Sequence, residues 1–277
     1  MAAGKKINKS AEASKPDFSG MAVLVVEDNK INQLLLKNLL REFGFPDFDC
    51  VENGRSVLEL LSQKKYSMLL MDMQLPDMDG YELTGRIRAN PDSSISSIPI
   101  VALTAEASDK ERKKASEAGV NDYLSKPYYS EDLLNILKGY AGKISRRKNA
   151  VGKKAGVAKK ESKKKIHLSA LEKYTGGDVA MTIQLIELFL SEVPVAIEQL
   201  EKFIPAKQWK EVHGVAHKVK SCFLVFDLHE LKNILLNIEG NAGDRTGLED
   251  IPALFISFKK GTKEVLTELR KELKSLR

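Results

Sequence analysis

Four polar residues, each placed just behind a short apolar run, could together handle a phosphoryl group. Asp28, beside Glu27, follows Val23-Leu24-Val25-Val26, and Asp72 follows Met68-Leu69-Leu70-Met71. Thr104 follows Ile100-Val101-Ala102-Leu103, and Lys126 follows Tyr123-Leu124-Ser125. If the runs are parallel strands, their C-terminal ends meet at one sheet edge, where open α/β sheets bind ligands. Hard carboxylate oxygens at Glu27, Asp28 and Asp72 suit magnesium, which binds through one or two carboxylates plus a phosphate. The Lys126 ammonium can pair with one phosphoryl oxygen and the Thr104 hydroxyl can donate to another. Charge neutralisation of this kind is the main catalytic task in phosphoryl transfer, and a carboxylate can act as the nucleophile.

The elements needed to position these residues follow from patterning. Between Met21 and Tyr140, strand-like runs alternate with helical patterns over Asn29–Phe43, Gly54–Leu61, Gly80–Ala89, Asp109–Ala118 and Glu131–Tyr140. Five βα repeats predict a parallel sheet covered on both faces, with right-handed crossovers. Asn53-Gly54, Asp79-Gly80 and Ala118-Gly119 supply turn chemistry at the joints. Beyond His167 the pattern turns helical. Ile183, Ile186, Leu190, Val193, Ile197 and Leu200 recur at intervals of three or four within Asp178–Phe203. Pro205–Phe226, Leu228–Ile238 and Ile251–Leu276 repeat that spacing, which predicts an antiparallel four-helix bundle, with a kink at Pro194.

The chain has 277 residues, 43% apolar and 30% charged, with a formal charge of +6. Lys143 to Lys165 holds eleven Lys or Arg against one Glu, about +10, leaving about −4 for the remainder. The basic signal therefore belongs to one segment. Poor in large apolar residues, that segment reads as a disordered linker. The expected division is a flexible lead-in over 1–20, an α/β domain over 21–141, the basic linker over 142–165 and an all-α domain over 166–277. No uninterrupted apolar stretch approaches the roughly 18 residues of a membrane span, so no membrane insertion of this chain is expected. The N-terminus lacks a secretory pattern. Cys50 and Cys222, far apart among apolar neighbours, read as buried thiols of a cytoplasmic protein.

The local words around the four residues resemble the receiver domain of two-component response regulators. They are Val25-Val26-Glu27-Asp28-Asn29, Met71-Asp72 through Asp79-Gly80, Leu103-Thr104-Ala105 and Tyr123-Leu124-Ser125-Lys126-Pro127. The resemblance implies a flavodoxin-like fold with strand order 2-1-3-4-5, a topology for which a receiver protein is a standard illustration. It also implies that Asp72 takes the phosphoryl group. Glu27, Asp28 and Asp72, with the Gln74 main-chain carbonyl, would hold magnesium, and Tyr123 would change rotamer with Thr104.

Of four histidines in the helical half, one stands out. At about 100° per residue, Val212, Val215, Ala216, Val219, Phe223 and Phe226 share one face. His217 projects about 160° from the centre of that stripe and is expected to face solvent. Lys218 and Lys220 would compensate charge on a phosphorylated imidazole, and Ser221 keeps the surface small. Leu224 would be an exposed apolar docking residue. His213, one turn earlier, could form a metal pair with His217, but no nearby Cys or acid completes a tetrahedral set. His167 and His229 are expected only to start helices.

Ala216-His217-Lys218-Val219-Lys220-Ser221 resembles the motif of histidine-containing phosphotransfer domains. Leu171 through Asp178 and Leu188 through Pro194 support it. Ser221 and Asp227 stand where that family often has glycine, and Asp227 puts the end of its helix in question. The resemblances imply a phosphorelay between Asp72 and His217, as at the C-terminus of hybrid sensor kinases. The implied partners are a sensor histidine kinase or its transmitter domain and a downstream response regulator receiver. No ATP-binding kinase module is visible, so the chain is expected to pass phosphoryl groups, not to use ATP. The competing reading is nucleic-acid or scaffold binding through the basic linker. No aromatic residues interleave with its lysines, and no sequence-specific recognition fold accompanies it.

Overall fold

A computed structural model describes residues 17–104, 109–126, 128–145 and 168–277. In the first half β1 (Ala22–Val26), β2 (Asp47–Val51), β3 (Met68–Asp72), β4 (Ile100–Thr104) and β5 (Asp122–Ser125) form one sheet, ordered β2-β1-β3-β4-β5. Every pairing is parallel, and the register sets Val26 beside Met71, Asp72 beside Leu103 and Thr104 beside Ser125. The strand ends therefore lie in step, and the residues just beyond them share one edge. All five residues of β3 are buried, as a central parallel strand requires.

Helices α1 (Lys30–Glu42), α2 (Gly54–Gln63), α3 (Gly80–Arg88), a four-residue α4 (Ser93–Ser96), α5 (Asp109–Ala118) and α6 (Ser130–Ser145) cover the sheet. Two of the predicted joints, at Asn53 and Asp79, carry caps, as does Asn29 before α1: each side chain accepts a hydrogen bond from an N–H of the following first turn. Helix α6 runs into the segment expected as linker; the rest of that segment, with His167, lies outside the described residues.

The second half packs α7 (Ser169–Thr175), α8 (Val179–Phe203), α9 (Trp209–Val225), α10 (His229–Asp244) and α11 (Ile251–Leu276). The four long helices contact in chain order and α11 closes back on α8, giving a four-helix bundle. Phe189, Phe223 and Phe258 form its aromatic centre, with ring centroids 5.2 and 5.1 Å apart in edge-to-face pairs. Helix α8 continues through Pro194. By length and composition α8 could cross a membrane, contrary to the sequence reading, but its stripe from Met181 to Leu200 is the bundle's core.

Several boundaries differ from the pattern: α6 and α10 run on past Tyr140 and Ile238 to Ser145 and Asp244. Helix α9 starts at Trp209, not Pro205, because Lys207 takes a left-handed φ of +54° in the preceding turn. At its far end Asp227 adopts φ +57°, a left-handed conformation that Asp tolerates better than most side chains, so the helix stops where a glycine would stop it.

Candidate active site

The carboxylates from β1 and β3 meet around one lysine. Glu27 is fully buried, and its Oε2 receives the Lys126 ammonium at 2.8 Å and the Tyr128 hydroxyl at 2.8 Å. Its Oε1 accepts the Asn29 N–H at 3.2 Å and the Asn32 side-chain amide at 3.1 Å. Lys126 also binds Asp72 Oδ2, and the other Asp72 oxygen accepts the Gln74 N–H at 3.1 Å. Asp28 is half-buried, and ligand oxygens of Glu27, Asp28 and Asp72 lie within 4.8 Å of one another.

Burial raises the Glu27 and Asp28 carboxyls above their usual range, with the Asp72 charge adding to it and Lys126 opposing it. Burial also works against the Lys126 ammonium, but Asp72 and Glu27 outweigh it and hold the lysine charged. Three carboxylates against one ammonium leave a formal −2 at a site of oxygen donors. That donor set suits a hard divalent cation. Gly80 lets the β3–α3 connection fold back over the site. A Cβ there would sit 2.6 Å from Met73 Cα and 2.9 Å from the Asp72 carbonyl oxygen.

Thr104 ends β4, and the Lys126 N–H donates to its carbonyl at 2.7 Å. Tyr123 pairs with Ala102 in the register, two residues before the Thr104–Ser125 pair, so both side chains are on one face. Its hydroxyl donates to the Arg112 carbonyl at 2.7 Å, turning the ring tip toward α5. Tyr128 is the site residue that the sequence reading missed here. Its signal was an aromatic immediately after Lys126-Pro127.

At the histidine, the structure corrects the expectation of a solvent-facing ring. The His217 side chain is 17% exposed, and its Nδ1 meets Glu239 Oε1 at 2.6 Å. Lys220 is not a free cation beside it. Its ammonium is buried and holds both Glu239 oxygens, at 2.9 and 2.6 Å. The helical wheel gave the phase of α9 correctly but not what α10 sets against that face. Ser221 and Leu224 are half-buried, so Leu224 is not the exposed docking residue expected. Lys218 remains 42% exposed and reaches to 3.9 Å from Asp28. His213 donates its Nδ1–H to the Glu239 main-chain carbonyl, 2.9 Å away, since a carbonyl oxygen can only accept. No third ligand joins the two histidines among the described residues. His229 starts α10 and pairs with Asp227 at 2.7 Å.

Glu239 was missed for want of a motif, though a signal existed. Leu231, Leu235, Ile238 and Ala242 form the buried stripe of α10, and Glu239 lies one turn after Leu235 on it. An acid at such a position must be paired. Burial alone would raise its carboxyl, but the His217 hydrogen bond and the Lys220 charge prevail and hold it below the usual glutamate range. As an acceptor, the carboxylate fixes the imidazole proton on Nδ1 and leaves Nε2 as the nucleophilic nitrogen.

The two sites open into one cleft of about 750 Å3 between the domains, lined among others by Asp28, Gln74, His213, His217 and Lys218. Helix α1 packs on α8 and α9, with Ile31 and Leu35 joining the bundle's apolar cluster.

Comparison with known proteins agrees with both halves. The response regulator receiver domain model matches residues 23–138, and the Hpt domain model matches residues 184–277. The sensor protein EvgS of Escherichia coli is 29% identical over 223 residues, which cover 79% of this chain and 17% of that protein. The sensor protein GacS of Pseudomonas syringae is 38% identical over 130 residues, covering 46% of this chain and 14% of GacS. The chain thus spans less than a fifth of the length of these curated relatives. Among solved structures, the receiver domain of sensor histidine kinase PA1611 from Pseudomonas aeruginosa is 37% identical. It aligns with a TM-score of 0.41, covering 45% of this chain and 99% of that one, and holds a magnesium ion in its active site cleft.

Proposed function

We propose, for a chain that belongs to the response regulator receiver family over residues 23–138 and to the Hpt family over residues 184–277, a phosphorelay in which Asp72 and His217 are the two phosphoryl carriers. The observation that carries this reading is the shared cleft, into which the Asp28 edge of the receiver and the His217 face of the bundle both open. In transfer to the receiver, the P–N bond at His217 Nε2 breaks as a P–O bond forms to an Asp72 carboxylate oxygen. The electron pair of the broken bond returns to the ring, and Nδ1 keeps its proton throughout. Glu239 faces the positive charge that the phosphorylated ring carries and loses on transfer.

Asp28, Asp72 and the Gln74 main-chain carbonyl are the set we propose for magnesium. Glu27 adds charge from beneath while its own oxygens are engaged by Lys126, Tyr128, Asn29 and Asn32. Magnesium bound there neutralises negative charge on the phosphoryl oxygens. Lys126 pairs with one of those oxygens, and the Thr104 hydroxyl donates to another, with Tyr123 following Thr104. Lys218, half-exposed beside Asp28, offers a further cation to the incoming group, while Lys220 acts through Glu239. Ser221, being small, keeps the approach to the imidazole open. The upstream partner is a sensor histidine kinase, the downstream one another receiver, and the setting is the cytoplasm, where such kinases draw on ATP.

Incubation with acetyl phosphate and magnesium tests the reading. Hydroxylamine-sensitive label on Asp72 and acid-labile, base-stable label on His217 are expected. Label that survives acid, or none, rules the reading out.

A further inference from the structure

We propose that His213 is a positioning residue of the phosphohistidine site: its ring, seated in a notch left open by Gly243, pins the Glu239 main chain and so sets the carboxylate that orients His217. This rests on the phosphorelay reading for the reaction served, but on separate observations for the placement. Both imidazoles of α9 turn the same nitrogen toward one residue of α10. His213 Nδ1–H goes to the Glu239 main-chain carbonyl at 2.9 Å, and His217 Nδ1 meets the Glu239 carboxylate at 2.6 Å. Lys220 binds both oxygens of that carboxylate. Helix α9 thus grips a single buried acid by its backbone through His213 and by its side chain through His217 and Lys220.

A main-chain carbonyl has two lone pairs, and inside a helix the N–H four residues on uses one of them. For Glu239 that residue is Gly243, and His213 supplies the second donor. Gly243 is also what admits the ring. A Cβ there would lie 2.8 Å from His213 Nδ1 and 3.1 Å from its Cε1. Gly240, in the same helix, has nothing within 4 Å of where its Cβ would be. A glycine inside a helix weakens it, so at Gly243 the compensating gain is room for the imidazole. The two rings stack with centroids 6.4 Å apart and planes 20° from parallel, so their other nitrogens run side by side and do not converge on a metal ion.

The pin supplies order to the reacting ring. In transfer to the bundle, the His217 Nε2 lone pair forms the P–N bond as the P–O bond at Asp72 breaks, and the electron pair of that bond stays on the Asp72 carboxylate. Nε2 has this lone pair only while the proton sits on Nδ1, where Glu239 accepts its hydrogen bond. A small slide of α10 would leave the carboxylate with Lys220 and release the imidazole to rotate and take the other tautomer. The His213 bond to the Glu239 backbone opposes that slide.

Three variants of the full chain separate the donor from the bulk of the ring. His213→Leu fills the notch without a donor, and Gly243→Ala crowds the ring out of it. His213→Asn carries an amide N–H the same number of bonds from the main chain as Nδ1. The first readout is ring-nitrogen NMR of histidine-labelled, unphosphorylated protein at alkaline pH. In wild type and His213→Asn the His217 proton is expected on Nδ1, whereas His213→Leu and Gly243→Ala should show both tautomers. The second is the rate at which acid-labile label appears on His217, relative to the Asp72 label in the same sample. It should fall about 10- to 100-fold in His213→Leu and Gly243→Ala and return to within about 3-fold of wild type in His213→Asn. An unchanged His217 tautomer in both impaired variants would overturn the proposal. So would a His213→Asn protein as slow as His213→Leu, since the donor would then be irrelevant. Should His213→Leu fail to fold, Gly243→Ala against His213→Asn carries the same two outcomes. Absence of acid-labile label in wild type would sink the phosphorelay reading instead, leaving the NMR to judge what His213 does.

Discussion

The receiver and the bundle each bury a lysine against carboxylate, but they balance charge differently. Lys126 faces Glu27 and Asp72 with Asp28 nearby, three acids to one ammonium. Lys220 faces Glu239 alone, one to one, and the His217 imidazole leans on the same carboxylate. The first site is short of positive charge and is completed by a divalent cation. The second is already neutral and spends its acid on orienting a ring. On the proposed phosphorelay, a phosphoryl group would therefore rest on His217 without metal but need metal to reach Asp72.

Removing the carriers should have the largest effect. Asp72→Asn abolishes the hydroxylamine-sensitive label and His217→Gln the acid-labile one, each leaving the other site chemically competent. Chelating magnesium comes next and should split the two sites. Loading of Asp72 from acetyl phosphate falls by about 10²-fold or more, whereas the lifetime of phosphohistidine already formed is unchanged. Metal-dependent loss of the phosphohistidine as well would erase the distinction.

The two lysines offer the sharpest stability contrast. Lys126→Met and Lys220→Met each strand buried carboxylate and should cost about 3–5 kcal/mol. Denaturant unfolding would report it, with the single tryptophan, Trp209, packed against the bundle, serving as the probe there. Magnesium should restore much of the loss for Lys126→Met and none for Lys220→Met.

A smaller effect concerns acid. The Glu239 carboxyl is lowered in the fold, so its contribution is complete above the ordinary value near 4.5 and is lost as pH falls through the lower folded value. Asp28 has the opposite sign: raised by burial, it favours the fold below its ordinary value near 3.8 and ceases to as pH rises through the folded one. Acid titration of the Trp209 signal should therefore flatten in Glu239→Gln, whereas Asp28→Asn removes a contribution of the opposite sign and should steepen the acid unfolding of the receiver. The smallest change is Tyr128→Phe, which removes one of the four donors on Glu27. It should cost about 0.5–1.5 kcal/mol by thermal melting and spare the bundle.

The receiver site was legible because its geometry is local. A polar residue directly behind a strand is carried to the sheet edge by the strand itself. Parallel pairing then sets Asp28, Asp72, Thr104 and Lys126 side by side, whatever packs elsewhere. The turn pairs Asn53-Gly54 and Asp79-Gly80 marked the starts of their helices for the same reason. In the bundle, periodicity located α8 to α11 and singled out His217, yet it gave only a face. It could not say that Glu239, 22 residues away on another helix, would meet that face, or that Lys220 would be spent on holding it. Tyr128 on Glu27 and Asn29 on Lys218 are separated in sequence by 101 and 189 residues. Sequence by itself determined which polar side chains stand at the strand ends and on which helical face His217 lies, since strand ends and helical phase are properties of neighbours in the chain. Only the tertiary structure decided how each is paired, oriented and brought before the other, because a hydrogen bond between distant segments depends on packing that no local pattern encodes.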